Sequence, residues 1–355
     1  MSRFVCDDTY LDDMKEYTGS VLEKHGVSSR SAEREIMILA ESGNTVALKL
    51  YADMIFYKRV LRKNPYRDAF SLYLKSAGIR VDESGMWKAS KRAYPPAYWM
   101  TAFCLVNYRR GSFLTGCEEI DTIEDMTVPE RLSMAIELAA ASLEHAQVPG
   151  AVNLIGRILY EASGSEKLYD ELRDAIQEEI ADRTFEGINL KTGPCNSELT
   201  LRDAAEKFFK AAADNGYVYA ANNLAVREAD RISQMPDDVD AGEVADAVER
   251  YIGYLKMSAD RYEPYAANRL GLFYMTGEIK GKGGSSYHKE YTDTALAREY
   301  FNKATVCPDA NSAWAFFNLI KYFHRDYDND IEHMNEHMDY IKELNSHVYG
   351  LAMEL

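Results

Sequence analysis

The sequence is poor in cysteine and has no long apolar run, and each absence excludes a class of protein. Its five cysteines, at positions 6, 104, 117, 195 and 307, are scattered, odd in number and never spaced Cys-x-x-Cys. That pattern argues against a disulfide framework or a zinc ribbon and points to a reducing compartment. The longest apolar stretch, Ala97 to Val106, is far too short to span a bilayer. The opening residues, Met-Ser-Arg-Phe-Val-Cys-Asp-Asp, hold no apolar core of signal-peptide length. There is no Asn-x-Ser/Thr sequon, and the last residues, Ala-Met-Glu-Leu, carry no lipidation motif. A cytoplasmic protein with no membrane partner is expected.

Catalytic and metal motifs are equally scarce. There is no Gly-x-Ser-x-Gly elbow. The stretch Gly277–Ser286 is rich in glycine, but Gly283 follows Lys282 where a phosphate loop needs Ser or Thr, so it reads as a long turn between repeats. Asp326, Asp328 and Asp330 have the spacing of a calcium loop, yet Ile331 replaces the required glycine and His337 the bidentate glutamate. His333 and His337 stand four apart on one helical face, without an obvious third ligand. Neither an enzyme nor a cofactor or metal is expected.

What the chain has is a repeated unit. An aromatic-x-Lys helix end is followed by a short polar turn and then by Ala-x3-Leu-Gly-x2-Tyr-x2-Gly. The best copy runs Tyr254-x-Lys256-Met-Ser-Ala259, then Ala266-x3-Leu270-Gly271-x2-Tyr274-x2-Gly277. Ten residues separate Lys210 from Ala220, Lys256 from Ala266, Lys303 from Ala313, Met37 from Ala47 and Ala141 from Ala151. A sixth copy ends its first helix at Tyr73-x-Lys75-Ser-Ala77 and starts its second near Ala97, after an insertion. Two residues before the six anchors stand Phe208, Tyr254, Phe301, Tyr73, Ala139 and Glu35; four of the six are aromatic, which marks a packing position. Small residues at helical intervals allow two helices to cross closely, and the neighbouring aromatic ring fills the adjacent groove.

The copies at 204–228, 248–277 and 295–323 resemble Sel-one-like repeats, the alanine- and glycine-marked relatives of the tetratricopeptide repeat. The copy at 135–164 keeps the glycine as Gly156; the one at 32–57 has Ala52 there, and the last has Asn318. The resemblance implies a right-handed α-solenoid of antiparallel helix pairs, all-α, acting as a protein-interaction scaffold or adaptor. Some secreted members carry a disulfide in every repeat, which this chain does not. A solenoid has no single limiting core, so 355 residues need not mean two ordinary domains.

The expected organisation is an N-terminal capping helix over 1–30, helical repeats over 31–326 and a C-terminal capping helix over 327–355. Insertions interrupt the repeats at 79–96 and 168–199. The second contains an amphipathic helix through Leu168, Leu172, Ile176 and Ile180, then a Gly/Pro/Asn loop at Lys191–Asn196. No run of alternating strands stands out.

Charge is unevenly spread. The net charge is −16, yet residues 58–110 hold twelve Lys/Arg and three Asp/Glu, a balance of +9. Arg59, Arg62, Lys63, Arg67, Lys91, Arg92, Arg109 and Arg110 are the candidate electrostatic contacts, with Tyr66 and Trp99 as aromatic anchors. Such a segment suits an acidic peptide or another protein, and alternatively the backbone and bases of DNA or RNA. The ordinary alternative is structural: Lys58 to Lys63 and Arg109-Arg110 close helices, where cations favour the dipole. A further expectation is self-association, with the basic segment of one molecule against the acidic C-terminal part of another.

Overall fold

Every alanine of the repeat register lies in the core. Ala47, Ala97, Ala151, Ala220, Ala266 and Ala313 are completely buried, and each stands in the first turn of a helix. A methyl group there fills the crossing without holding the helices apart. The computed structural model describes residues 8–26, 29–57, 59–62, 64–81, 87–89, 93–107, 126–144, 148–181, 201–236, 238–306, 311–323 and 331–355. Among them are sixteen α-helices in consecutive pairs, so the fold is all-α and built of helical repeats.

The chain divides into two compact units, Met1–Ala212 and Ala213–Leu355. In the first, α1 (Asp8–His25) packs against α2 (Arg30–Glu41) and α3 (Thr45–Phe56). Next come α4 (Pro65–Ser76), a ribbon of β1 (Ile79–Val81) and β2 (Trp87–Ala89), α5 (Pro95–Val106), α6 (Val128–Leu143) and α7 (Pro149–Ala162). The amphipathic helix expected in the second insertion is α8 (Glu166–Ile176), continued by one wide turn over Gln177–Ala181; Leu172, Ile176 and Ile180 are buried. The loop at 191–196 lies outside the described residues. The boundary between the units falls in the last turn of α9 (Leu201–Asp214).

The second unit contains α10 (Val218–Ile232), α11 (Ala241–Ala259) and α12 (Pro264–Thr276). A hairpin of β3 (Glu278–Gly281) and β4 (Gly284–Tyr287) follows, then α13 (Thr294–Lys303), α14 (Ser312–Phe323), α15 (Ile331–Leu344) and α16 (Ser346–Ala352). Its core joins Tyr251, Leu255, Leu270, Phe273, Ile279 and Phe301 across α11, α12, β3 and α13. Helix starts follow local chemistry. Pro65, Pro95, Pro149 and Pro264 occupy the first turn, where a missing N–H costs no helical bond. Asn44, Asp240 and Asp293 cap their helices through side-chain oxygens.

The glycines of the repeat mark close approaches. A Cβ on Gly271 would lie 2.5 Å from Cδ1 of Phe301, and one on Gly156 would lie 2.8 Å from Cδ1 of Phe209. The groove-filling aromatic expected at the first-helix end is therefore Phe301 itself in one case, and in the other the residue after Phe208. Buried serines tie neighbouring pairs: Ser76 donates to the Thr45 carbonyl at 2.6 Å, and Ser258 to the Val218 carbonyl at 2.6 Å. Each hydroxyl reaches a carbonyl in the first turn of an earlier second helix, so burying it leaves no donor unsatisfied.

Three details differ from the sequence reading. The strands are new: three or four residues each is too short for alternation to register, and they pair as Ile79↔Ala89 and Ile279↔Ser286. The glycine-rich stretch is accordingly a β-hairpin, laid on α10, rather than an open turn. The last helix is two, because Asn345 starts a new one by accepting from the backbone N–H groups of His347 (3.1 Å) and Val348 (3.3 Å).

Candidate functional site

Half of the sequence-predicted contact residues fall outside the described residues: Lys63, Lys91, Arg92, Arg109 and Arg110. Arg59 is exposed, and its backbone N–H closes α3 by bonding the Met54 carbonyl at 2.8 Å. Arg62 donates to the Tyr51 hydroxyl and lies over that ring, 5.8 Å from its centroid. Arg67 pairs with Asp68 at 3.0 Å. Tyr66 packs edge-on against Phe56, with ring centroids 5.5 Å apart. The indole of Trp99 covers Gly150 so closely that a Cβ there would lie 2.8 Å from it. Arg62, Arg67, Tyr66 and Trp99 thus take part in the internal contacts of the first unit, and Arg59 is the described cation of this group left to solvent.

The second unit contains an open cavity of about 260 Å³. Ala225, Val226 and Asp230 of α10 form one wall, and Tyr251 and Leu255 of α11 another. Tyr265 and Arg269 come from α12, and the hairpin supplies Lys280 to Lys282. The hairpin can reach α10 because its turn has no side chains in the way. A Cβ on Gly281 would stand 2.3 Å from the Ala229 carbonyl oxygen, and one on Gly283 2.5 Å from that of Ser233. The hairpin is latched by the Lys282 N–H, which donates to Asp230 Oδ1 at 2.7 Å, and by the Gly283 N–H, which donates to Ser233 Oγ at 3.1 Å. Those N–H groups face α10 and are already used, so the glycine-rich turn is a clamp and not a phosphate cradle.

Arg269 dominates the cavity electrostatically. Its Nη2 donates to the Lys280 carbonyl at 3.2 Å, and its side chain bonds the Tyr251 hydroxyl. Burial works against its charge, but Tyr251, Tyr265 and Glu278 outweigh that and hold its pKa above the usual arginine range. Burial also raises the Tyr251 pKa, against the lowering influence of Arg269. At neutral pH the Tyr251 hydroxyl therefore stays protonated, which suits it to hydrogen bonding and not to proton abstraction. The arrangement can attract and orient an anionic group.

Sequence reasoning missed this site. One signal was present: Arg269 is the single charged residue of α12, a helix otherwise made of apolar, aromatic, Asn and Thr residues. Asp326, Asp328 and Asp330 lie outside the described residues, and the ring of His337 packs on Phe316 with centroids 5.0 Å apart. Among the described residues no group of three or more His, Cys, Asp or Glu could hold a metal ion, and no helix is long and apolar enough to cross a membrane.

The structure is similar to the crystal structure of a Sel1 repeat protein from Oxalobacter formigenes, at 15% sequence identity and a TM-score of 0.45. That match covers 94% of this chain and 99% of the other. It is also similar to c5321, a protective antigen present in uropathogenic Escherichia coli strains displaying an SLR fold, at 16% identity and a TM-score of 0.27. There the match covers 88% of this chain and 64% of the other. No protein-family model matches the sequence, and no curated protein matches it.

Proposed function

We propose that this chain is a Sel-one-like repeat protein that works in the cytoplasm as a non-enzymatic scaffold or adaptor, binding another protein. The observation that supports the reading is a contrast within the helix pairs of the second unit. The register alanines are wholly buried in all six copies, whereas in the last three an exposed aromatic residue stands beside the alanine or in the turn before it: Tyr219, Tyr262 and Trp314. Tyr219, next to Ala220, and Tyr262, in the turn before Ala266, are about half exposed. Tyrosines of this kind are what protein interfaces use most, since they bring large area at little entropic cost. Helical repeats commonly present such exposed positions on a constant frame.

The exposed Arg59, with Lys63 and the other basic residues of 58–110, remains part of this proposal as an electrostatic contact for an acidic partner. The test is affinity recovery from native lysate, with and without nuclease, comparing the wild type with two variants: Arg59/Arg62/Lys63→Glu and Tyr219/Tyr262→Ala. A protein partner that survives nuclease and is lost in either variant supports the scaffold reading and places its surface. Recovery of nucleic acid that nuclease abolishes would replace it with contact to DNA or RNA through the basic segment. No partner under any condition would count against both.

A further inference from the structure

A guanidinium partly withdrawn from water is often held by a carboxylate. Among the described residues, half-buried Arg269 is not. The two groups that bond it, the Tyr251 hydroxyl and the Lys280 carbonyl, are both neutral. Other cations of the same unit do have acids: Arg250 and Arg231 share Glu228, Lys303 pairs with Asp260, and Lys282 faces Asp230. Glu278 acts on Arg269 only through space, and its carboxylate accepts from the Ser285 hydroxyl at 2.5 Å. Guanidinium carries five N–H donors, so two acceptors leave donors unused, in a group that lines the cavity.

We propose that this cavity is a carboxylate site, taking an acidic group carried on a short apolar stem. The carboxylate would meet Arg269, whose planar fork matches two oxygens at once. The stem would lie against Ala225, Val226 and Leu255, which offer contact area and no hydrogen bonds. Lys280 at the exposed rim adds positive potential, in a unit where 24 Asp/Glu outnumber 14 Lys/Arg for a net −10. Asp230, the one acid in the cavity wall, is taken up by the backbone and ammonium of Lys282. A volume of about 260 Å³ admits an amino-acid-sized group and little more. The biological source, a glutamate side chain or a chain terminus of a partner protein, rests on the scaffold reading; the carboxylate chemistry does not.

The test uses the isolated full chain, labelled with nitrogen-15, and follows the Arg269 Nε–H signal by NMR. Three probes are titrated: acetyl-Ala-Glu-Leu-amide, acetyl-Ala-Ala-Leu with a free carboxyl end, and acetyl-Ala-Gln-Leu-amide. The expected result is a saturable shift with one acidic peptide and binding about tenfold weaker for the glutamine peptide, which offers only neutral hydrogen bonds. The glutamate peptide succeeding identifies a side chain as source; the free-end peptide succeeding identifies a terminus. Arg269→Gln should abolish the response. Should that variant not fold, Val226→Trp, which fills the cavity from its exposed wall, should block binding with Arg269 intact. No saturable shift with either acid, equal binding of the glutamine peptide, or undiminished binding by Val226→Trp would overturn the site. Since no cellular partner is involved, such a failure leaves the scaffold reading to be decided by the recovery experiment.

Discussion

A methyl group at position 271 would sit 2.5 Å from the Phe301 ring, well inside van der Waals contact. Phe301 is wholly buried, stacked beside Tyr322 at 6.3 Å, and has little room to retreat. Gly271→Leu should therefore cost about 1–3 kcal/mol by overpacking, read as a lowered melting temperature; an unchanged one would show that the ring moves aside freely. Tyr262 presents the opposite case. It occupies the left-handed turn position (φ 60°) that Gly43 and Gly216 fill in other copies, each four residues before the register alanine. A left-handed backbone costs an L-residue about 1–2 kcal/mol, partly offset here by Lys303, whose ammonium lies 5.7 Å from the Tyr262 ring centroid. Tyr262→Gly should leave thermal stability unchanged or slightly raised. A clear loss would mean that the ring packs for stability, and would weaken its assignment to a binding surface.

At the scale of elements, the β3–β4 hairpin is the piece that turns a row of helices into a site. It roofs the cavity because Gly281 allows contact with the backbone of α10, where no side chain can give way. Gly281→Val should lift the hairpin, lose the Lys282 to Asp230 latch and expose 278–287 to limited proteolysis, while α10 to α12 keep their helical circular dichroism. A hairpin as protease-resistant as the wild type would show that the close approach is not what holds it. This element also shows the limits of reading the sequence. Gly277–Ser286 was legible as a break between repeats, since glycines there end the helical pattern. Its pairing was not, because four-residue strands carry no usable period and their stability comes from packing on α10. The same holds for the final helix: its polar periodicity runs through Asn345, and the break there comes from a cap made after the chain has turned.

For the whole molecule, buried tyrosines set the alkaline limit of stability in both units. Burial, then Asp53, raises the pKa of Tyr73 in the first unit. In the second, burial raises Tyr251, and burial with Tyr274 pushes Tyr300 to about 12. A folded pKa above the unfolded value of about 10 means that the native state keeps the proton longer. That stabilisation is complete below about pH 10 and is lost as pH rises through about 12. Urea midpoints should hold steady from neutral pH to about 10 and then fall; exposed tyrosines ionise first, and the last part of the tyrosinate absorbance should appear together with unfolding. Full tyrosine ionisation in a chain that stays folded would contradict this burial.

The sequence by itself determined the repeat: the all-α class, the six register alanines and the glycines that admit Phe209 and Phe301. These are local facts, written in helical spacing and in side-chain size, and they hold wherever the helix is placed. The predicted contact residues were only partly separable from structure, because a cation at a helix end reads alike whether it meets a partner, as Arg59 is free to do, or a neighbouring ring, as Arg62 does. Only the tertiary structure decided that Arg269 has no carboxylate among the described residues while Asp230 has the Lys282 backbone, 52 residues away in sequence, as one of its partners. Charge pairing depends on distances between helices set by packing, and no spacing along the chain encodes them.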